Sequence, residues 1–363
     1  MVIKITCINF IFASLPAPEI KCVSVLPNGD ITITWSKIND PSGIFSSYKI
    51  YQVTSSSSTL LQTEANINQT TYTHLGANGN TGIIQYVIGT TCSSSVTNIS
   101  DTVCSMKLTV NNPSNGLAIL SWNPIFKPTN SPSASNWYKI YREFPLGTWT
   151  LVDSTQYGNE YFREENTVCD DSVNYRISNE NTGCISFSSI DGSNFKDVLP
   201  PDAPIIKNVS VDTNTNLATI YWHRTKPDDT EAYIILKLIA GAWVPIDTVW
   251  GINNTNYTYL LSAANTTSEC YGVAAFDSCW YGVPLSPNTS AMGTSHCSVF
   301  LQSNYNACAK TVDLTWTAYT NWSAGVDKYE VFEEVDGGVP VSIGTTSNLA
   351  FQATNVLPNS NYC

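Results

Sequence analysis

The amino-acid sequence predicts an all-β chain, built as a tandem array of small β-sandwiches. Three observations support this prediction. A strand pattern ending in tryptophan occurs four times, a pattern beginning with tyrosine follows each copy, and the tryptophans are spaced by 87, 100 and 94 residues. One small sandwich usually takes about 100 residues. The 363 residues therefore accommodate four repeats.

The tryptophan-ending strand alternates apolar and polar residues, which is the period of a strand with one buried face. Its apolar residues lie four and two positions before the tryptophan. The four copies are Ile31/Ile33/Trp35, Ala118/Leu120/Trp122, Ala218/Ile220/Trp222 and Val312/Leu314/Trp316. We predict that these four tryptophans lie at the centres of four cores.

Two further strands recur in the same order. The first follows each tryptophan by 11 to 16 residues, and the copies begin Tyr48/Ile50, Tyr138/Ile140, Tyr233/Ile235 and Tyr329/Val331. The later strand places a tyrosine two residues before a β-branched residue, at Tyr86/Ile88, Tyr175/Ile177 and Tyr271/Val273. The fourth repeat reaches only Tyr362 at this point. We therefore expect the fourth sandwich to be truncated before its last strands.

Charge and hydropathy exclude several classes of partner. The chain has 29 acidic and 17 basic side chains, for a net charge of −12, and no Lys/Arg cluster. A protein that binds a phosphate backbone needs a basic surface, so nucleic acid is excluded. No apolar run approaches the ~20 residues of a membrane-spanning helix, which predicts no membrane insertion. Hydrophobic residues make up 42% of the chain, enough to form cores and to exclude a wholly disordered polymer.

The sequence contains no recognisable catalytic motif. Three histidines, His74, His223 and His296, fall in three different repeats, where we expect them in solvated loops. The paired-histidine spacing of a catalytic zinc site is absent, as are nucleophile-elbow and phosphate-loop motifs. We predict that the chain is not an enzyme and has no cofactor, catalytic residue or metal site.

The repeated residues resemble fibronectin type III modules. In that family the tryptophan lies on the second strand, Tyr-x-Ile/Val on the third, and a Leu/Tyr pair such as Leu357 and Tyr362 forms a tyrosine corner. More narrowly, the stretches 275–279 and 308–319 resemble repeats of secreted bacterial surface proteins that carry a gliding-motility-associated C-terminal domain. That resemblance implies an adhesin or exported filament of the type IX secretion class.

The repeats and the Pro-rich positions between them predict the domain boundaries. Residues 1–15 resemble a signal-peptide remnant, because Lys4 precedes a short apolar stretch. The predicted modules are 16–101, 102–199, 200–293 and 294–363, the last truncated.

Eleven cysteines without any CxxC pair favour disulfides over metal binding, and hence an extracellular or cell-surface location. We expect Cys270 to pair with Cys279 and Cys169 with Cys184, each pair fastening a loop around a late strand. A third candidate joins Cys308 to Cys363 at one end of the fourth sandwich. Cys22, Cys92, Cys104 and Cys297 remain unassigned.

Trp280 and Tyr281 are the candidate ligand-binding residues. They follow Cys279, where we expect a loop between late strands, and exposed aromatic rings in such loops stack on sugar rings. The alternative is edge packing or contact with a neighbouring module. The partners implied are a protein or glycan at the cell surface and neighbouring domains of the same longer chain.

These features favour a non-enzymatic extracellular repeat region that acts as a spacer, stalk or adhesin within a larger secreted cell-surface protein. One alternative is an accessory linker or binding region of a secreted carbohydrate-active enzyme, which a catalytic domain in the full reading frame would favour. A eukaryotic receptor ectodomain is another, and occupied N-glycans would support it.

Overall fold

A computed structural model of the chain describes residues 15–92, 95–126, 131–226, 228–354, 356 and 360–362. All regular secondary structure in these residues is β-strand, which confirms the predicted all-β class. The described part of the chain contains no helix with the length and apolar character needed to cross a membrane. The chain falls into two compact units, Met1–Asp197 and Val198–Cys363. Apart from Leu15, the predicted signal-peptide remnant lies outside the described residues.

The first sandwich combines a three-stranded sheet with a larger one. Its strands are β1 (Ile20–Val25), β2 (Ile31–Trp35), β3 (Phe45–Val53), β4 (Ser58–Glu64), β5 (Thr71–His74), β6 (Gln85–Cys92), β7 (Ser95–Ile99) and β8 (Val103–Cys104). The sheets have the orders β1-β2-β5 and β4-β3-β6-β7, and β8 also pairs with β6. Strand β2 has the predicted buried face: Ile31, Ile33 and Trp35 are buried, while the two threonines between them are partly exposed.

The second sandwich repeats this arrangement within the same unit. Its strands are β9 (Leu108–Asn111), β10 (Leu117–Trp122), β11 (Ala134–Glu143), β12 (Trp149–Gln156), β13 (Tyr161–Glu165), β14 (Cys169–Asn181), β15 (Cys184–Phe187) and β16 (Asp191–Lys196). The sheets have the orders β13-β10-β9 and β12-β11-β14-β15, with β16 also paired to β14.

The third sandwich opens the second unit and has the same two sheets. Its strands are β17 (Ile206–Val211), β18 (Ala218–Trp222), β19 (Thr230–Ile239), β20 (Ala242–Trp250), β21 (Asn256–Tyr259), β22 (Cys270–Tyr281), β23 (Ser286–Thr289) and β24 (His296–Cys297). The sheets have the orders β17-β18-β21 and β20-β19-β22-β23, with β24 also paired to β22.

The fourth sandwich has a three-stranded sheet and a two-stranded one among the described residues. Its strands are β25 (Leu301–Asn306), β26 (Thr311–Trp316), β27 (Tyr329–Glu333), β28 (Val341–Thr346) and β29 (Ala350–Thr354). The sheets have the orders β25-β26-β29 and β27-β28. Leu357, part of the expected tyrosine corner, lies outside the described residues. Tyr362 forms an isolated antiparallel bridge with Val335.

Each repeated tryptophan packs edge-on against the recurring tyrosine of the next strand, which belongs to the opposite sheet. The ring centroids are 5.2 to 5.5 Å apart in Trp35–Tyr48, Trp122–Tyr138, Trp222–Tyr233 and Trp316–Tyr329. Edge-to-face contact is a preferred geometry for aromatic pairs. All four tryptophans are buried, so the recurring Trp and Tyr of the sequence meet at the centre of each core.

Two short strands cross the predicted module boundaries. Val103–Cys104 follows the predicted start of the second module at 102, and His296–Cys297 follows the predicted start of the fourth at 294. Each strand nevertheless pairs with the preceding sandwich, through β6 and β22 respectively. The boundaries themselves stay predictions.

Candidate functional sites at the junctions and in an aromatic cluster

The described disulfides differ from the predicted pairs. Cys270 is bonded to Cys297, its direct partner across β22 and β24. Cys184 is bonded to Cys22 of the first sandwich, with a sequence separation of 162. The predictions that Cys270 pairs with Cys279 and Cys169 with Cys184 are therefore wrong.

The physical reason is the length of the late strands. Cys279 lies within β22 rather than in a loop after it, so nine residue steps of extended chain separate it from Cys270. At 3.3 Å per residue this is about 30 Å, against the Cα separation of at most about 7 Å that a disulfide bridges. Cys169 opens the thirteen-residue strand β14, whereas Cys184 pairs with Asn181 at its other end.

The third predicted pair is not supported either. Cys308 carries an exposed free thiol, and Cys363 lies outside the described residues. Two of the four unassigned cysteines are paired: Cys22 with Cys184, and Cys297 with Cys270.

The Cys22–Cys184 bond belongs to a junction between the first and second sandwiches. Strand β1 of the first sandwich contacts β15 of the second. The backbone N–H of Val23 donates to the Ser186 hydroxyl at 3.0 Å, and this contact is buried. The N–H of Phe187 donates to the Ser24 hydroxyl at 3.2 Å. Hydrogen bonds and a covalent bond thus hold the two sandwiches along the same pair of strands.

A second set of contacts surrounds this strand pair. The Asn181 side-chain amide donates to the carbonyl of Lys21 at 3.0 Å. The Ser133 hydroxyl donates to the Glu19 carboxylate at 2.7 Å, and the Ser131 hydroxyl also donates to it. These polar contacts flank the disulfide and restrict rotation of one sandwich against the other.

The segment between the first two sandwiches is itself part of the core. Val103, Ser105 and Met106 are all essentially inaccessible to solvent. The Asn123 side-chain amide donates to the Ser105 carbonyl at 2.9 Å, and its oxygen accepts the Lys107 N–H at 2.8 Å. Buried backbone groups need such partners. The connection is therefore a packed, hydrogen-bonded element of the first unit.

The third and fourth sandwiches meet around Tyr319, which is buried. Its hydroxyl accepts the Val209 N–H at 2.9 Å and lies 2.9 Å from His296 Nδ1. The Trp322 ring packs on Tyr319, with centroids 4.4 Å apart, and its indole N–H donates to the Lys207 carbonyl at 2.6 Å. A loop of the fourth sandwich is thus fastened to β17 and β24 of the third.

The histidines depart from the sequence-based expectation of solvated loops. His296 is buried on β24 and contacts Tyr319, while His74 ends β5 and lies 3.0 Å from the Tyr86 hydroxyl. Burial lowers the pKa of both imidazoles, so each ring is neutral at physiological pH. His223 is exposed, as expected.

The third sandwich contains a largely buried ion pair. Lys237 on β19 contacts the Glu269 carboxylate, which also accepts hydrogen bonds from the Tyr271 hydroxyl at 2.6 Å and the Ser262 hydroxyl at 2.7 Å. Burial by itself would raise the pKa of Glu269, but the hydrogen bonds from these groups and from the backbone N–H of Ala263 outweigh it, and the pKa is lowered. Glu269 is therefore ionised in the core.

Trp280 lies on a strand rather than in the expected loop. It pairs with Pro287 of β23, and the neighbouring Tyr281 pairs with Ser286. The Trp280 side chain is 44% exposed, and its indole N–H donates to the Glu231 carboxylate at 3.4 Å. One face of the third sandwich thus presents this candidate residue to solvent.

Trp280 belongs to an aromatic cluster with Trp250 and Phe276. Phe276 contacts both indoles edge-on, at centroid distances of 5.7 Å to Trp250 and 6.0 Å to Trp280. Ala232 pairs with both Trp250 and Phe276, and its small side chain leaves room for the rings. Phe276 is buried, whereas Trp250 is 57% exposed. Sequence reasoning missed Trp250 because it lies thirty positions before Trp280, on another strand.

The chemistry of this cluster suits a small polar ligand with an apolar face. Exposed indoles offer flat apolar surfaces, and Glu231 supplies a hydrogen-bond acceptor beside them. Small-molecule sites are usually lined by aromatic and apolar side chains with a few polar groups among them.

The chain was compared with known proteins and structures. No protein-family model and no curated protein matches it. Similar solved structures include the FN1–FN3 domains of chicken CNTN1, with 15% identity, a TM-score of 0.23, and coverage of 78% of this chain and 98% of that one. They also include the central fibronectin-III array of RIM-binding protein, with 12% identity, a TM-score of 0.24, and coverage of 78% and 97%.

At this level of similarity the comparisons assign no function, and the fold is defined by the strand pairing itself. Each of the first three repeats combines a three-stranded antiparallel sheet with a larger one around a Trp–Tyr core. This is the immunoglobulin-like sandwich architecture shared by fibronectin type III domains. The chain is a tandem array of such sandwiches, as the sequence predicted.

Proposed function

We propose that the chain is a non-enzymatic, extracellular spacer and adhesive region of a larger secreted cell-surface protein. The observation that carries this proposal is the Cys22–Cys184 disulfide, which encloses most of two sandwiches in one covalent loop. Tension applied along the chain enters the loop at one cysteine and leaves at the other. The enclosed residues are shielded from that tension.

The same bonds support an extracellular location. Disulfides persist in oxidising compartments and are rare where thiols are kept reduced. The experiment is thiol labelling of intact source cells with a membrane-impermeant maleimide, before and after reduction, followed by protease shaving. We expect release of fragments from the surface and labelling of Cys22 and Cys184 only after reduction. Protection of the chain from the protease in intact cells would contradict the proposal.

The narrower assignment is a gliding-motility or type IX secretion protein. The resemblance of 275–279 and 308–319 to repeats of such proteins supports it. Sequencing of the complete reading frame tests it directly. A C-terminal sorting domain would support the assignment, whereas a catalytic domain would favour the accessory region of a carbohydrate-active enzyme.

The aromatic cluster favours glycan binding as the adhesive activity. Trp250 and Trp280 offer two exposed indoles with the Glu231 carboxylate beside them. The test is glycan-array binding by the full chain and by the Trp250→Ala/Trp280→Ala variant. We expect binding that the double variant loses, while Trp137→Ala, which removes a similarly exposed indole from the second sandwich, retains it. Equal binding by all three proteins would show that the aromatic cluster is not the glycan-binding site.

A further inference from the structure

The first sandwich has a polar cleft between the edges of its two sheets. Strand β4 is the last strand of one sheet and β5 is the last strand of the other, and side chains from both line the cleft. The cleft has a volume of about 320 Å³. Small-molecule sites usually have volumes of about 300–1,000 Å³. The cleft is therefore large enough to hold a small ligand.

The walls of the cleft are polar and its floor is apolar. Trp35 and Ile50, which are both buried in the core, form the floor. The walls carry side-chain amides, hydroxyls and one carboxylate. These groups belong to Gln62, Glu64, Gln69, Thr71, Tyr72 and Thr73.

Glu64 occupies a position that faces the core in another sandwich. It pairs with Tyr48, whereas the third sandwich has Val249 in the equivalent register, paired with Tyr233. Val249 packs against the core of its sandwich, as an apolar residue does there. Among the described residues, the Glu64 carboxylate accepts one hydrogen bond, from the backbone N–H of Asn66 at 2.8 Å. Its remaining capacity to accept hydrogen bonds is available to a ligand in the cleft.

Other polar side chains of the cleft are also not used to join the two sheet edges. In the third sandwich, Asp247 and Tyr257 occupy the register positions of Gln62 and Tyr72. Burial and the neighbouring Asp247 carboxylate raise the pKa of Tyr257 to about 12, so these two side chains lie together there. In the first sandwich, the Gln62 amide instead donates to the Thr63 carbonyl of its own strand at 3.3 Å.

The chemistry of the lining selects among classes of ligand. It contains no lysine, arginine or histidine, so it offers no positive charge to an anionic ligand. One carboxylate is a poor basis for a Ca²⁺ site, because Ca²⁺ affinity depends on the number of charged ligands. The amides of Gln62 and Gln69 both donate and accept hydrogen bonds, whereas the Glu64 carboxylate only accepts them. Adjacent hydroxyl groups of a sugar ring, which donate and accept, match this set.

We propose that the cleft binds a sugar ring of a neutral glycan. Hydroxyl groups of the sugar donate to the Glu64 carboxylate and exchange hydrogen bonds with the amides of Gln62 and Gln69, while an apolar face of the ring lies toward Trp35. Hydrogen bonds to an ionised group are stronger than those between neutral groups, so Glu64 contributes most to the affinity. This cleft belongs to a different sandwich from the aromatic cluster, and its binding does not depend on that cluster or on the spacer role.

The experiment uses the full chain with Trp250→Ala/Trp280→Ala, so that the aromatic cluster does not contribute to binding. Saturation-transfer NMR is measured with the methyl glycosides of glucose, galactose, mannose and N-acetylglucosamine. We expect saturation transfer to at least one of these sugars, and titration then gives its affinity. Glu64→Val introduces the residue of the third sandwich and should weaken binding about tenfold, because a hydrogen bond to a charged group is lost.

Further variants separate binding from folding. Gln62→Ala, at an exposed position of the edge strand, should weaken binding about threefold. Thr155→Val changes the equivalent of Glu64 in the second sandwich and should leave the affinity unchanged. Melting temperatures check that each variant remains folded. No saturation transfer to any of the sugars, or undiminished affinity in Glu64→Val and Gln62→Ala, would overturn the proposal. Saturation transfer to cadaverine but to none of the sugars would also overturn it and identify a cationic ligand.

Discussion

Cys22 on β1 and Cys184 on β15 are joined by a disulfide although 162 residues separate them along the chain. The bond connects two different sandwiches, and the Val23–Ser186 and Phe187–Ser24 hydrogen bonds lie directly beside it. Most disulfides of small modules fasten one module internally. Here the bond fixes the relation between the first two modules, which is the property that a spacer under tension needs.

Removal of this bond should lower the stability of the first unit. We expect Cys22→Ser/Cys184→Ser to reduce the free energy of unfolding by about 4 kcal/mol, because a long closed loop restricts the unfolded chain most. Chemical denaturation under non-reducing conditions measures the change. Cys308→Ser removes only an exposed free thiol and should leave the curve unchanged. Superimposable curves for the double variant and the parent would show that the junction does not depend on the bond.

The buried pair Lys237–Glu269 should be the most sensitive charged site of the third sandwich. Glu269→Gln leaves the Lys237 ammonium without a counter-charge in the core, at an expected cost of about 3 kcal/mol. The matched control is Asp228→Asn, which breaks the exposed Arg224–Asp228 pair and should cost less than about 0.5 kcal/mol. Denaturant midpoints of the two variants give the comparison. Similar midpoints would contradict the role assigned to Glu269.

The junction of the third and fourth sandwiches should weaken in mild acid. Burial lowers the pKa of His296 in the folded chain, so the unfolded chain binds a proton first as the pH falls. The stability contributed by neutral His296 is therefore complete above the unfolded pKa of about 6.5 and is lost as the pH falls from there toward the folded pKa. His74 follows the same rule in the first sandwich.

Melting temperatures at about pH 7.5 and pH 5, on either side of the unfolded pKa of these histidines, measure this effect. We expect His296→Gln to show a smaller loss between the two conditions than the parent chain. His223→Gln, at an exposed position, should behave as the parent does. If His296→Gln lost as much melting temperature between the two pH values as the parent chain, titration of His296 would not explain the acid sensitivity.

Alanine substitutions at two glycines distinguish the cost of backbone strain from the cost of a steric clash. Gly116 and Gly147 both have positive φ, at 72° and 88°. A Cβ at Gly116 would lie 2.3 Å from the Asn166 carbonyl oxygen, whereas at Gly147 it would meet nothing within 4 Å. We expect Gly147→Ala to cost about 1 kcal/mol from strain, and Gly116→Ala to cost more than about 2 kcal/mol. Equal losses would mean that the chain around Asn166 relaxes freely.

The sequence predicted the parts of the fold that depend on local alternation. Ile31, Ile33 and Trp35 were identified from their spacing alone, because a half-buried strand imposes a period of two. The same reasoning identifies Tyr48 and Ile50 as part of a recurring strand, whereas the contact between Tyr48 and Trp35 is seen in the structure. Local patterns of this kind specify cores within a repeat.

Pairings between distant positions could not be predicted in the same way. The partner of Cys184 lies in another sandwich, and no spacing rule points to Cys22. Residues 271–277 are all buried, so no alternation of buried and exposed positions showed that the strand continues to Cys279 and excludes the bridge to Cys270. The contact of Trp280 with Trp250 through Phe276 also depends on strand order, which the spacing of aromatic residues does not give.

The measurement that tests the spacer role most directly is force spectroscopy of the chain pulled from its two ends. With the Cys22–Cys184 bond intact, unfolding of the first unit should release markedly less contour length than in the Cys22→Ser/Cys184→Ser variant, because the enclosed residues cannot extend. Equal contour lengths in the two proteins would contradict the account, since they would show that the bond does not carry the load past these sandwiches.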